Sequence, residues 1–350
     1  MKIVFTGDIH LGSKFNNEKG DVRRAETVKV FSDIVDYAVS IGAPCILIGG
    51  DLFDTSYPPS EVEDAVRNIM TSHPDITFYA VCGNHDPLYK TAFYRDVPTN
   101  MFLFPDRITK ASVGDIDIYG VSIGTVADNT DPWQGFLADG KFITLSHGTL
   151  DGDDYPLSSA SLADSGAALN LLGHIHKTDA RVLSNGRHAL YCGTPAGRGF
   201  DECGERGFYV IDTDTFSYTF VKTNAKIYRE YTVDISDCES STELMSRLSD
   251  FVIPETEIAR AILVGSVKTP FEINSDSIVQ YTPFVEIKDK STPDIDLLAN
   301  IDASTVEGEF VRILVSKLDK CTDDERAEVL DALKAGIIAL RRQNDIYKTS

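Results

Sequence analysis

Apolar and polar positions alternate in short blocks along the first half of the chain. Apolar runs at residues 2–5, 45–48, 78–81, 142–145 and 169–172 have the length and composition of buried strands. Between the early runs, residues 23–41 place Val28, Phe31, Ile34, Val35, Ala38 and Ile41 at helical spacing, and residues 58–70 predict a second helix entered through proline. After residue 110 strand and turn signals dominate, as at 116–119 and 207–211. Such an order predicts an α/β sandwich with two central sheets and flanking helices.

The pattern changes after a last strand at 216–221, so the first domain is expected to close near residue 224. Residues 225–290 hold strand-like runs at 230–235, 261–264 and 284–287 and a helix near 243–251, which suits a small α+β module. Residues 291–308 are polar and rich in Pro, Asp and Ser, and read as a linker. The segment 309–350 is helical. Thr322-Asp323-Asp324-Glu325 is a capping box, Leu330, Leu333, Ile337 and Leu340 follow as one apolar stripe, and Phe310, Ile313, Leu314 and Leu318 form a similar stripe before it.

Candidate chemistry sits where the strands end. Five motifs follow the five runs in order: Asp8-Ile9-His10, Gly50-Asp51, Gly83-Asn84-His85, His147-Gly148 and Gly173-His174-Ile175-His176. A lone Asp-x-His or Gly-Asn-His is ordinary turn chemistry. Five of the seven histidines placed in such motifs, each on a loop that a rigid sheet positions, are a ligand set for two metal ions. Carboxylate, imidazole and carboxamide donors without thiolate suit divalent ions such as Mn²⁺, Fe²⁺ or Mg²⁺. His73 and His188 belong to no motif and read as surface or turn residues, and Asp151-Gly152-Asp153-Asp154 reads as a solvated loop.

The wording of these motifs resembles the calcineurin-like metallophosphoesterases, and within them the SbcD type of DNA repair nuclease, the bacterial counterpart of the meiotic recombination nuclease. Asp8-Ile9-His10-Leu11-Gly12, Gly50-Asp51-Leu52-Phe53-Asp54 with Pro58-Pro59-Ser60, and Gly83-Asn84-His85-Asp86 carry the likeness. Tyr191-Cys192-Gly193-Thr194-Pro195 running to Gly207-Phe208 extends it to about residue 224, with Arg206 where the family has Lys. The resemblance implies a four-layer α-β-β-α fold in which Asp8, His10 and His176 hold one ion, Asn84, His147 and His174 the other, and Asp51 bridges. It implies that His85 faces the scissile phosphate as the catalytic non-ligand histidine, and Asp54 and Asp86 are then expected as acceptors for imidazole N–H groups.

It further implies a Mn²⁺-dependent DNA exo/endonuclease, a capping domain at 225–290, and C-terminal helices that dock an SbcC-like structural-maintenance-type ATPase. A family homodimer is implied too, although only the 61 residues from 86 to 146 lie between His85 and His147, short for members with extra dimerisation helices. A small-molecule phosphodiesterase acting on cyclic nucleotides or nucleotides shares the same motifs. A non-catalytic scaffold has no need of His85.

Charge alters this picture. The chain carries 33 Lys and Arg against 54 Asp and Glu, a net −21. Residues 1–224 hold 18 against 30 (−12) and residues 225–350 hold 15 against 24 (−9), with no basic run. Grip on DNA is therefore expected from the metals and a partner rather than from a basic patch. The chain enters its first strand at once, no apolar run approaches a membrane span, and the 6 cysteines form no Cys-x-x-Cys pair. A cytoplasmic protein with reduced thiols and no membrane contact is the expectation.

Overall fold

A computed structural model describes residues 1–15, 20–125, 130–267, 278–293, 301, 304–318 and ten positions between 320 and 340. The chain divides into two compact units, residues 1–229 with 254–258, and residues 230–253 with 259–350.

Strands of the first unit are β1 (Lys2–Thr6), β2 (Cys45–Gly49), β3 (Thr77–Val81), β4 (Met101–Leu103), β5 (Thr109–Val113), β6 (Ile116–Gly120) and β7 (Phe142–His147). They continue as β8 (Thr149–Leu150), β9 (Pro156–Leu157), β10 (Leu169–Gly173), β11 (Asp179–Val182), β12 (His188–Tyr191), β13 (Gly207–Asp212) and β14 (Ser217–Lys222). One six-stranded sheet has the order β14-β13-β1-β2-β3-β4, and a second has β11-β12-β10-β7-β6-β5. In each, four successive strands run parallel, β1 to β4 in the first and β12, β10, β7 and β6 in the second.

Side-chain alternation assigns the faces. Ile3 and Phe5 point into the layer between the sheets, with Leu47, Val81, Ile143 and Leu171, while Val4 points the other way. The outer face of the first sheet packs on α1 (Gly20–Ser40) and α2 (Ser60–Thr71) through Val4, Ile46, Phe31, Ile34 and Val66. The outer face of the second buries Trp133, Leu172 and Tyr191 with Leu162 of α3 (Ser159–Asp164). Both faces of each central strand are covered, which is why these segments read as unbroken apolar runs. The four-layer α-β-β-α sandwich is present, and the two helices predicted at 23–41 and 58–70 differ from α1 and α2 only at their ends.

The two sheets touch most closely at the ends that carry the motifs. A Cβ added to Gly173 would lie 1.9 Å from the carbonyl oxygen of Gly49, so only glycine permits this approach of β10 to β2. The loops after β1, β2, β3, β7 and β10 therefore converge on one crevice.

The second unit has a three-stranded sheet of β15 (Ile227–Asp234), β16 (Glu257–Val264) and β18 (Glu286–Asp289), with α4 (Ser241–Ser249) packed on it through Leu244 and Leu248. β17 (Ser266–Val267) pairs with β19 (Thr292–Pro293), and α5 (Val306–Leu318) opens earlier than expected, inside the stretch read as a linker. Val311, Leu333 and Ile337 are buried in a cluster with Phe310 and Leu314, so the two C-terminal stripes pack on each other. Most of the capping box, Asp323 to Glu325, and Leu330 lie outside the described residues.

Five cysteines among the described residues are free, and four of them are buried. His188 is not a turn residue. It opens β12, half-buried, with Nδ1 2.5 Å from the Tyr218 hydroxyl. No described helix is long and apolar enough to cross a membrane.

Candidate metal centre

Backbone hydrogen bonds zip the first two ligand loops together: Asp8 N–H donates to Gly50 O (3.0 Å), His10 N–H to Asp51 O (3.0 Å) and Asp54 N–H to Leu11 O (3.1 Å). Asp8, His10, Asp51 and His174 have φ of 48°, 52°, 49° and 96°. These are four of the seven non-glycine residues in that region among the described residues, and such backbone persists only where surrounding structure enforces it.

Each carboxylate is pinned by one oxygen and presents the other. Asp8 Oδ1 accepts the His174 N–H at 2.8 Å, while its buried Oδ2 has no hydrogen-bond partner. Asp51 Oδ1 accepts the His85 N–H at 2.9 Å, and its Oδ2 lies 3.5 Å from His10 Nε2 and 3.5 Å from His147 Nε2. A Cβ on Gly83 would fall 2.1 Å from Asp51 Oδ1, so glycine is required beside this carboxylate.

Neighbours assign the imidazole tautomers. His10 Nδ1–H donates to Asp54 Oδ1 (3.1 Å), His147 Nδ1–H to Gly49 O (2.8 Å) and His176 Nδ1–H to Glu202 Oε1 (2.7 Å), leaving an Nε2 lone pair on each. His10 Nε2 and His176 Nε2 face each other at 3.0 Å. His147 Nε2 and His174 Nδ1 each lie 2.9 Å from Asn84 Oδ1. Two groups of donors result: Asp8, His10 and His176 on one side, Asn84, His147 and His174 on the other, with Asp51 Oδ2 reached from both.

The electrostatics fit divalent cations. Burial, followed by the Asp51 charge, pushes the Asp8 carboxyl well up. Burial lowers His10 to about 4, His147 to about 3 and His174 to about 4, so all three are neutral near pH 7 and keep their lone pairs. An orphaned carboxylate oxygen, two lone pairs aimed at each other and no thiolate are relieved together by oxygen- and nitrogen-loving cations.

His85 is exposed, its Nδ1–H donates to Asp54 O at 2.9 Å, and its Nε2 remains available at the mouth. His10, Asp54 and His85 also bring donor atoms within 4.8 Å of one another. A cation there would oppose the Arg198 guanidinium, which already lies 2.8 Å from Asp54 Oδ1. Asp86 contacts no imidazole in the hydrogen bonds described. It is fully buried and accepts from Phe53 N–H (3.0 Å), Gly83 N–H (2.9 Å) and the Tyr94 hydroxyl (2.5 Å), and burial, then Asp51, raises it to about 7.

Four contributors escape the sequence pattern: Arg198, Glu202, Tyr94 and Asp154. Burial alone would raise Glu202, yet hydrogen bonds from His176 and Arg198 bring it down to about 2. Asp54 is held at about 2 in the same way, by His10 and Arg198 against burial. Asp154, in the stretch read as a solvated loop, is exposed but brings Oδ2 within 3.4 Å of His174 Nε2. Arg206, at the family's Lys position, donates to the carbonyls of His176 (2.6 Å), Glu202 (3.1 Å) and Cys203 (3.0 Å), a task that needs a guanidinium fork.

Residues 1–178 match the model of the calcineurin-like phosphoesterases, and the chain belongs to that family, whose members are metal-dependent phosphoester hydrolases with a dimetal centre. Its relatives narrow the class. SbcD, one of the two components of the nuclease SbcCD of Escherichia coli (strain K12), is 25% identical over 271 residues, 61% of this chain and 65% of that one. DNA double-strand break repair protein Mre11 of Sulfurisphaera tokodaii is 27% identical over 266 residues, covering 67% and 65%, and that of Methanosarcina mazei is 31% identical over 125 residues, covering 35% and 20%. The chain thus spans 20% to 65% of the length of these relatives.

Proposed function

We propose that the protein is a two-metal phosphodiesterase that cleaves DNA, with Asp8, His10 and His176 holding one ion, Asn84, His147 and His174 the other, and Asp51 bridging. The observation that carries this reading is Asp51 Oδ2, 3.5 Å from an imidazole nitrogen of each group. When bound, a pair of divalent ions, Mn²⁺ by donor chemistry, polarises the phosphodiester, activates water and neutralises charge on the leaving oxygen. The chain's own part is to hold that pair and to aim His85. With Nδ1–H anchored on Asp54 O, His85 points its other nitrogen outward, where it carries a proton to the departing 3′-oxygen and stabilises the charged transition state.

DNA as substrate is supported by the names of the relatives, nuclease and double-strand break repair protein. The acidic surface makes a basic partner necessary for tight binding, and a structural-maintenance-type ATPase docked on residues 309–350 would fill that role. Since Leu333 and Ile337 are buried in their own cluster, the dock would use outward side chains such as Ile313, which is 59% exposed. Residues 225–290 would guide duplex into the crevice. The acidic residues Asp153 and Asp154 near His174 favour the alternative, a small nucleotide phosphodiester, because a polyanion would be repelled there.

A Mn²⁺-dependent assay on linear duplex, single-stranded DNA, cyclic nucleotides and bis(p-nitrophenyl) phosphate separates the two. Cleavage of DNA well above that of cyclic nucleotides is expected, and turnover of cyclic nucleotides alone would replace the nuclease reading.

A further inference from the structure

The two ion positions are not built alike. Around the Asp8 position, both imidazoles hand their Nδ1–H to a carboxylate: His10 to Asp54 at 3.1 Å and His176 to Glu202 at 2.7 Å. One guanidinium ties these carboxylates together, with Arg198 Nη1 2.8 Å from Asp54 Oδ1, Nη2 2.9 Å and Nε 3.2 Å from Glu202 Oε1. The Arg198 backbone N–H adds a bond of 2.7 Å to Glu202 Oε2, so both Glu202 oxygens are engaged, and its side chain is only 4% exposed. Arg198 Nη2 also lies 2.9 Å from His176 Nδ1, but both are donors, which leaves Glu202 as the acceptor for that ring.

Around the Asn84 position the supports are weaker. His147 leans on a neutral backbone carbonyl, and the outer nitrogen of His174 has an exposed carboxylate at 3.4 Å. An imidazole that donates to a carboxylate is a more basic and better oriented ligand than one that donates to a carbonyl. A guanidinium fork spanning two carboxylates fixes both at once, which a single ammonium cannot do.

We infer that Glu202, Arg198 and Asp54 form a brace that makes the Asp8–His10–His176 position the tighter of the two, with Glu202 as its main positioning residue. The inference rests on the dimetal reading above and adds an order of loading to it. One ion enters the braced position first, and the second enters the neighbouring position at higher concentration.

The test is a Mn²⁺ titration of the full-length chain by calorimetry, with free Mn²⁺ counted by its paramagnetic resonance signal. The parent chain binds two ions in two steps. Glu202→Gln keeps size and shape but removes the charge, and it weakens the first step roughly 10–100-fold while leaving the second in place. Asp54→Asn acts on the same step, and it decides the matter should Glu202→Gln not fold. Variants that weaken both steps alike, or neither, overturn the brace while a two-ion parent keeps the dimetal reading. A parent that takes up no Mn²⁺ overturns both.

Discussion

The metal crevice and the C-terminal helical pair store opposite kinds of energy. In the crevice, Asp8 and Asp51 are buried beside each other and four positions hold left-handed backbone, each at a cost of about 1–3 kcal/mol. In the helical pair, Val311, Leu333 and Ile337 close on one another with Phe310, and each contact stabilises the pair. Gly336 lets the Phe310 ring approach, since a Cβ there would lie 2.1 Å from it. Buried charge and strained backbone point to a ligand that compensates them. A covered apolar stripe needs no further partner.

The difference can be broken at either end. The largest effect is expected from Asp51→Ala, which removes the atom shared by both donor groups. Elemental analysis should find both metals lost and hydrolysis of bis(p-nitrophenyl) phosphate should vanish. His85→Ala should keep two metals and lose about 10²–10⁴ in rate, the worth of a positioned proton donor. A His85→Ala chain stripped of metal would move that histidine among the ligands.

At the other end, Leu333→Glu places a charge in the helical cluster at a cost of several kcal/mol. Hydrogen exchange should show the helical pair opening while turnover of the small phosphodiester is unchanged. If the helices stay protected, the cluster is not their core. The smallest effect is a gain: with metal chelated, Asp51→Asn relieves the carboxylate pair and should stabilise the chain by about 0.5–2 kcal/mol. A lower thermal midpoint than the chelated parent would show that the crevice stores no such cost.

What could be read from the sequence follows the same division. Strands covered on both faces are continuous apolar runs, so β1, β2, β3, β7 and β10 and the ligand loops after them are legible. Ligand types with specific chemistry, such as Asn84 between Gly83 and His85, are legible for the same reason. Arg198, Glu202 and Asp154 are not, because ordinary charged residues in a Gly-rich loop acquire their meaning only when the fold carries them beside His176 and His174. A signal existed for Glu202, since it lies inside the segment from Tyr191 to Phe208 that carries the resemblance. The apolar stripe at Leu333 and Ile337 shows a face that is covered, and only the fold shows that Val311 covers it.

The most direct measurement is anomalous diffraction from crystals of the full chain soaked in Mn²⁺. Two peaks should appear roughly 3.5–4 Å apart, one against Asp8, His10 and His176 and one against Asn84, His147 and His174, with Asp51 between them. A single peak, or peaks away from Asp51, would contradict the account.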